Sequence, residues 1–297
     1  MGEAKQYSKW GEKDEVGALN ELTPQHVLGA LKLIKKGEIF NLGHVLELNV
    51  PTPTNHGPFF YTTHRTHEFV LRHPEVVPGG YTNGRASMTC RVEMGDHTGT
   101  HIDALNHIAL TDHIYNGFKV ADVTTPFGTT TAGIDTVPPI FCRGILIDVA
   151  KAKSLEVLDN SYEITVDDIE SALNLEKVEI APATAVLIRT GWGRYWMTSN
   201  EKFLGHEAGI GLDAAKWLVQ EGAVLVGSDN FAVEVIPHAR SDITVHGFLL
   251  VESGVHIIEN LALETLSRKG VYEFAFVCSP LLIKGGTGSP ISPLAIV

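Results

Sequence analysis

The chain of 297 residues is 44% hydrophobic and 20% charged, a composition that excludes a disordered polypeptide and allows a deep core. Its 23 Lys and Arg against 35 Asp and Glu leave a formal charge of −12. That balance argues against nucleic acid or an anionic membrane as partner, since both reward clustered positive charge.

Residues 1–15 are polar, with no apolar stretch to serve as a secretory signal. No run of about 18 apolar residues follows that could cross a bilayer. A first helix is predicted with Thr23 as N-cap, Pro24 at the first helical position and Gly37 at the stop. Val27, Leu28, Leu31 and Ile34 form its apolar stripe. Residues 1–38 thus read as a helical arm and 39–297 as the main domain. An extended run from Ile39 to Val50 closes at the Pro51–Asn55 turn. Residues 55–84, rich in Pro, Gly, His and aromatics, read as irregular loop. Within it, Phe59, Phe60 and Tyr61 either line a pocket or pack over the core. His64, His67 and His73 have no carboxylate at ligand spacing and read as surface or lid residues.

A strand is predicted from Met88 to Met94, and buried strands at 144–149, 185–188, 223–227 and 273–277. Thr165 and Asp168 form a capping pair ahead of Ile169 and Leu173. A further helix is expected from Leu212 to Glu221, and another ending near Lys269-Gly270. Strands and helices alternate irregularly, so the expectation is α/β, a single mixed-sheet domain rather than a doubly wound sheet. Three widely spaced cysteines, Cys90, Cys142 and Cys278, fit neither a complete disulfide framework nor a zinc knuckle. A reducing, cytoplasmic setting is expected.

The chain has 14 histidines, and three of them fall with two aspartates between Asp96 and His107. Gly95 and Gly99 let the backbone bend sharply beside them. In an extended segment His97, His101 and Asp103 share a face, and His107 shares their parity. Two imidazoles and a carboxylate are a natural ligand set for Zn²⁺, Mn²⁺ or Fe²⁺. An exposed polar turn is the competing explanation, and four groups of one parity weigh against it. Asp96 points the other way, either supporting a ligand from behind or as a solvated turn carboxylate. Asp229 and Glu234 follow a strand end, where loop capping and function explain them about equally. Arg189-Thr190-Gly191-Trp192 also follows a strand, facing substrate or packing. No nucleophile elbow, P-loop or dinucleotide fingerprint occurs.

The run from His97 to His107, H-T-G-T-H-x-D-A-x-x-H, resembles the signature of the metal-dependent cyclase hydrolases. That family contains the bacterial kynurenine formamidases and the isatin hydrolases. His246-Gly247-Phe248-Leu249-Leu250 and Ile257-Ile258-Glu259-Asn260-Leu261 resemble its second block, and Gly286-Thr287-Gly288-Ser289-Pro290-Ile291 the isatin hydrolase tail. The resemblance implies a swivelling β/β/α fold and a homo-oligomer, dimer or tetramer. It implies His97, His101 and Asp103 as first-metal ligands and His107 as catalytic acid/base. His246 and Glu259 would complete a binuclear zinc site, whereas the isatin hydrolases resemble a one-metal manganese design. Zn²⁺ or Mn²⁺, as one or two ions, is therefore expected. Two departures bear on substrate: Leu105 stands where the formamidases have Pro, and their substrate-stacking Trp has no counterpart after the first strand.

The chemistry also follows from the residues. Three protein ligands leave open positions on a metal, where the pKa of a water falls from 15.7 towards ~7. Attack on an amide, lactam or lactone carbonyl would follow, with His107 passing the proton to the leaving atom. The expected function is a metal-dependent hydrolase of a small cyclic amide, formamide or lactone. A non-haem Fe(II) oxygenase is the alternative, since two His and a carboxylate also define that triad. A metal-binding protein without catalysis is the third.

Overall fold

A computed structural model describes residues 8–77, 84–238 and 243–297. Among these residues the main sheet has nine strands. They are β1 (Ile39–Asn41), β2 (His101–Asp103), β3 (Ile140–Asp148), β4 (Thr184–Arg189), β5 (Ala223–Ser228), β6 (His256–Glu259), β7 (Glu273–Cys278), β8 (Gly288–Pro290) and β9 (Leu294–Ile296). Their spatial order is β1-β9-β7-β3-β4-β5-β6-β2-β8. The four central strands, β3 to β6, run parallel, and every other pairing is antiparallel. Mixed α/β architecture is thus as the sequence predicts.

The central strands are the apolar runs, because a parallel sheet is covered on both faces. Ile145, Leu146, Ile147, Ala185, Val186, Leu187, Leu225, Val226, Ile257 and Ile258 are all fully buried. Each large aliphatic side chain so buried contributes roughly 1.5–3 kcal/mol over its exposed state. Helix α1 (Pro24–Leu31) packs on β3 and β7. Helix α2 (Val166–Glu176) connects β3 to β4, and helix α3 (Leu212–Gln220) connects β4 to β5. The capping pair is present: Asp168 N–H donates to Thr165 Oγ1 at 3.3 Å, and Thr165 N–H returns to the Asp168 carboxylate at 3.0 Å. Ile169 and Leu173 face inward beneath it. No helix of the described residues is long and apolar enough to cross a membrane.

Several local expectations are corrected. Helix α1 stops at Leu31, well before Gly37, and Ile34 follows it in turns. The extended run from Ile39 ends at Asn41, because its ladder partner β9 is three residues long. Residues 8–22 lie against the main domain. Ala18 and Leu19 join the main core, and Asn116 Nδ2 donates to the Gly11 and Asp14 carbonyls, both at 2.9 Å.

The irregular loop predicted for 55–84 is largely structured where described; residues 78–83 lie outside the described set. Phe60–Arg65 pairs antiparallel with Thr89–Glu93, and a helix spans His67–Arg72. Thr66 Oγ1 caps that helix by accepting from Phe69 N–H at 3.2 Å, and Arg72 pairs with Glu68 one turn earlier. Phe59 is buried in a second apolar cluster with Val50, Trp192, Trp196 and Phe203. With Phe60 it also lines a cleft of about 470 Å³ beside Leu48 and Asn49.

Candidate metal centre

The centre forms where the antiparallel end of the sheet meets its parallel middle. His101 and Asp103 lie two residues apart on β2, so both side chains leave one face of the strand. Glu259, the last residue of β6, pairs directly with His101 and projects from the same face. His97 arrives through a turn in which Gly99 has φ +70°, a conformation that favours glycine. A side chain at Gly99 would also strike Leu46. His246 stands at the start of the π-helical turn Gly247–Glu252.

These residues converge around one carboxylate. Asp103 Oδ1 lies 2.8 Å from His97 Nδ1 and 3.5 Å from His101 Nε2, and Oδ2 lies 3.7 Å from His246 Nε2. Glu259 reaches His101 Nε2 at 3.2 Å and His246 Nε2 at 3.0 Å. Two trios of potential ligands result, His97–Asp103–His107 and Asp103–His246–Glu259, with Asp103 common to both. The trios hold five of the six residues singled out in the sequence, and His101 joins them through Asp103 and Glu259. His64, His67 and His73 are exposed and belong to neither trio.

Whether a cation fits can be judged from the unused atoms. Both Asp103 oxygens and His101 Nε2 are buried and lack a well-directed hydrogen bond although nitrogens and oxygens stand as near as 2.8 Å, an expensive crowding unless something else binds them. The opposite nitrogens of the imidazoles are anchored. His101 Nδ1 faces the Gly99 carbonyl at 2.8 Å and His246 Nδ1 faces Glu234 Oε1 at 2.6 Å. Carbonyl and carboxylate oxygens only accept, so these nitrogens carry the protons. The lone pair of each neutral ring is then on Nε2, facing Asp103 and Glu259. Oxygen and imidazole donors together suit Zn²⁺ or Mn²⁺, and the residues present fit such an ion.

In the absence of a cation, protons do part of its work. Burial disfavours charge on His101, yet Glu259 and Asp103 outweigh it and raise the pKa to about 9. His246 is likewise held well above its ordinary value, by Glu234 and Glu259 against burial. His107 behaves oppositely: burial dominates and pushes it down to about 4. Its ring lies 4.1 Å from that of His97.

The sequence reading left several contributors without a role. Glu234 backs His246 and also accepts from Val245 N–H at 2.7 Å. Glu207, fully buried, accepts from Phe231 and Ala232 N–H and so fixes the chain leading to Glu234. Asn260 Nδ2 donates to the Gly99 carbonyl at 2.9 Å, bracing the turn between two ligands. Only Glu234 had a local signal, its position after a strand end. By contrast, Asp229 caps the turn after β4 by accepting from Thr190 and Gly191 N–H, and Trp192 is wholly buried. Arg189 is tied to Asp148 at 2.7 Å and to Glu264. Packing and capping therefore account for that segment.

Known proteins resemble this chain in sequence and in fold. The Cyclase family model matches residues 40–235. A solved structure described as a novel cyclase superposes with a TM-score of 0.89 at 32% identity, covering 98% of this chain and 97% of that one. Cyclase-like protein 3 of Oryza sativa subsp. japonica is 26% identical over 222 residues, 74% of this chain and 70% of the relative. Isatin hydrolase of Roseibium aggregatum is 26% identical over 213 residues, 69% of this chain and 73% of the relative. The matched family region covers most of the sheet and the whole His97–His107 cluster, and the chain belongs to the Cyclase family.

Proposed function

We propose that this chain is a metal-dependent hydrolase acting on the C–N bond of a small cyclic amide or formamide, or on a lactone ester bond. One observation carries the reading. His101 and His246 are each anchored through one nitrogen and turn the other toward the buried carboxylates of Asp103 and Glu259. Likeness to an isatin hydrolase supports the cyclic-amide class. His97, His101 and Asp103 would hold a first Zn²⁺ or Mn²⁺, and His246 with Glu259 a second. When bound, such an ion supplies Lewis acidity and acidifies a water to a pKa of ~7. His107 is neutral at pH 7, so it can take a proton from the water whose oxygen bonds to the carbonyl carbon. As the carbonyl–nitrogen bond breaks, the same ring returns that proton to the departing atom. The test is to strip the protein of metal, reload it with Zn²⁺ or Mn²⁺ and assay isatin, N-formylkynurenine and simple lactones without oxygen. Turnover is expected only after reloading. Turnover in stripped protein, or only with oxygen present, rejects the reading.

We also propose that copies of the chain associate with one another. Tyr61 pairs with Val92, and Thr63 with Cys90, on one face of the hairpin. That face is open: Tyr61 is 50% exposed and Val92 51%. A two-stranded hairpin is marginal in water until a face is covered. Residues 58–93 carry four Arg against three Glu, whereas the rest of the chain carries 19 Lys and Arg against 32 Asp and Glu. A second copy therefore offers complementary charge. Sedimentation at micromolar concentration should give a multiple of 32.3 kDa, and Tyr61→Glu should shift it toward that mass. A wild type sedimenting at 32.3 kDa ends the proposal.

A further inference from the structure

His97 differs from the other imidazoles in how its remote nitrogen is held. Its Nε2 lies 3.0 Å from the hydroxyl oxygen of Thr287, a residue 190 positions later in the chain. A hydroxyl can donate or accept, so this contact alone leaves the ring's tautomer open. Asp96 closes the choice. Its Oδ2 accepts the Thr287 hydroxyl proton at 2.7 Å and the Thr287 N–H at 3.1 Å. With its only proton directed at the carboxylate, Thr287 Oγ1 can only accept from His97. The other Asp96 oxygen stands 3.8 Å from Nε2, beyond hydrogen-bond reach, so the hydroxyl is the intermediary.

The backbone keeps this relay rigid. The Thr287 carbonyl accepts from Ala104 N–H at 2.9 Å, tying the C-terminal segment to β2 next to Asp103. Gly288 lies flat against the imidazole: a side-chain carbon there would stand 2.8 Å from His97 Cε1. The ring is thus clamped between a wall that admits no side chain and a hydroxyl that admits one polarity. The nitrogen left to face the centre is Nδ1, 2.8 Å from Asp103 Oδ1.

We propose that Asp96 and Thr287 are positioning residues that fix the Nε2–H tautomer of His97 and so present Nδ1 to the first metal ion. The proposal rests on His97 being a ligand, and the experiment separates the two. Metal-stripped protein is titrated with Zn²⁺ alone by calorimetry, and nitrogen-15 spectra of the zinc-loaded imidazoles report which nitrogen of His97 is protonated. Wild type and Thr287→Ser should bind alike and keep the proton on Nε2. Thr287→Val and Asp96→Ala should bind the tighter ion ~10- to 100-fold more weakly, the usual cost of losing a hydrogen-bond partner behind a ligand. Both should also mix the tautomers, an effect that mere loss of packing would not produce. Asp96 is partly exposed, so its variant tests the relay even if Thr287→Val fails to fold. Wild-type affinity and tautomer in the folded Asp96→Ala variant overturn the relay alone. A wild type that binds no Zn²⁺ overturns the ligand reading and the relay together.

Discussion

His101 and His107 are six residues apart and meet opposite surroundings. Two carboxylates face His101 Nε2, and they hold the ring's pKa near 9 against the cost of burial. A divalent ion would displace that proton, as metal binding at imidazole generally does. At His107 burial comes first and, with the neighbouring His97 and His246, outweighs the pull of Asp103 and Glu259, leaving the ring neutral at pH 7. His101→Ala should therefore lose both metal and turnover. His107→Ala should keep the ion and lose ~10²- to 10⁴-fold in rate, the range for a positioned acid/base. Metal content and single-turnover rate measured on one preparation decide between the roles. Loss of the ion with His107 would make the His97–Asp103–His107 trio a ligand set; near-normal rate would make the residue structural.

At the scale of elements, the cluster was legible but its geometry was not. The parity argument holds for His101 and Asp103, which do lie on a strand. His97 reaches the same centre by a turn at Gly99, and so escapes any strand period. Glu259 and His246 come from β6 and from the turn before it; the register that sets Glu259 opposite His101 leaves no mark in local sequence. Of the hairpin at 60–93, the second strand was expected at 88–94 and is found at Thr89–Glu93, whereas the first was missed for a related reason. Phe60–Arg65 is short and exposed along most of its length, and its partner lies more than twenty residues further on, so nothing in it resembles a buried run. The apolar central strands were readable because burial on both faces demands continuous aliphatic sequence.

Helix α2 carries a second consequence of burial. Glu176 Oε1 accepts from Asp148 N–H at 2.7 Å, while Oε2 is buried without a partner. Burial raises its pKa from an ordinary 4.5 to about 8, against the pull of that backbone hydrogen bond. Between these values the folded chain binds a proton that the unfolded chain does not, so stability falls as pH rises through the window. Glu176→Gln should remove this contribution. Its melting temperature relative to wild type should rise from pH 5 to pH 8, and a difference that stays constant with pH would refute the assignment.

For the molecule as a whole, the centre concentrates carboxylates in a chain that is already acidic. Asp103, Glu259 and Glu234 are buried together, and the formal charge is −12. Without a cation, His101 and His246 offset them by staying protonated. A bound ion would offset them more directly, and only in the folded state. Any ligand with that preference stabilises by mass action, ~4 kcal/mol at a thousandfold excess over its dissociation constant. Zn²⁺ or Mn²⁺ should thus raise the melting temperature of stripped wild type, and a chelator should reverse the rise. Asp103→Asn is the sharpest probe, because that carboxylate is common to both trios. The change is nearly isosteric but removes a carboxylate that, against the cost of burial, the surrounding imidazoles hold well below its ordinary pKa, so the stripped variant should melt below stripped wild type while keeping its shape. It should nevertheless lose the thermal response to both metals, since neither trio retains its shared oxygen ligand. If Asp103→Asn melts with an undiminished metal-dependent shift, the ion is held elsewhere, and the shared-carboxylate description of the centre fails.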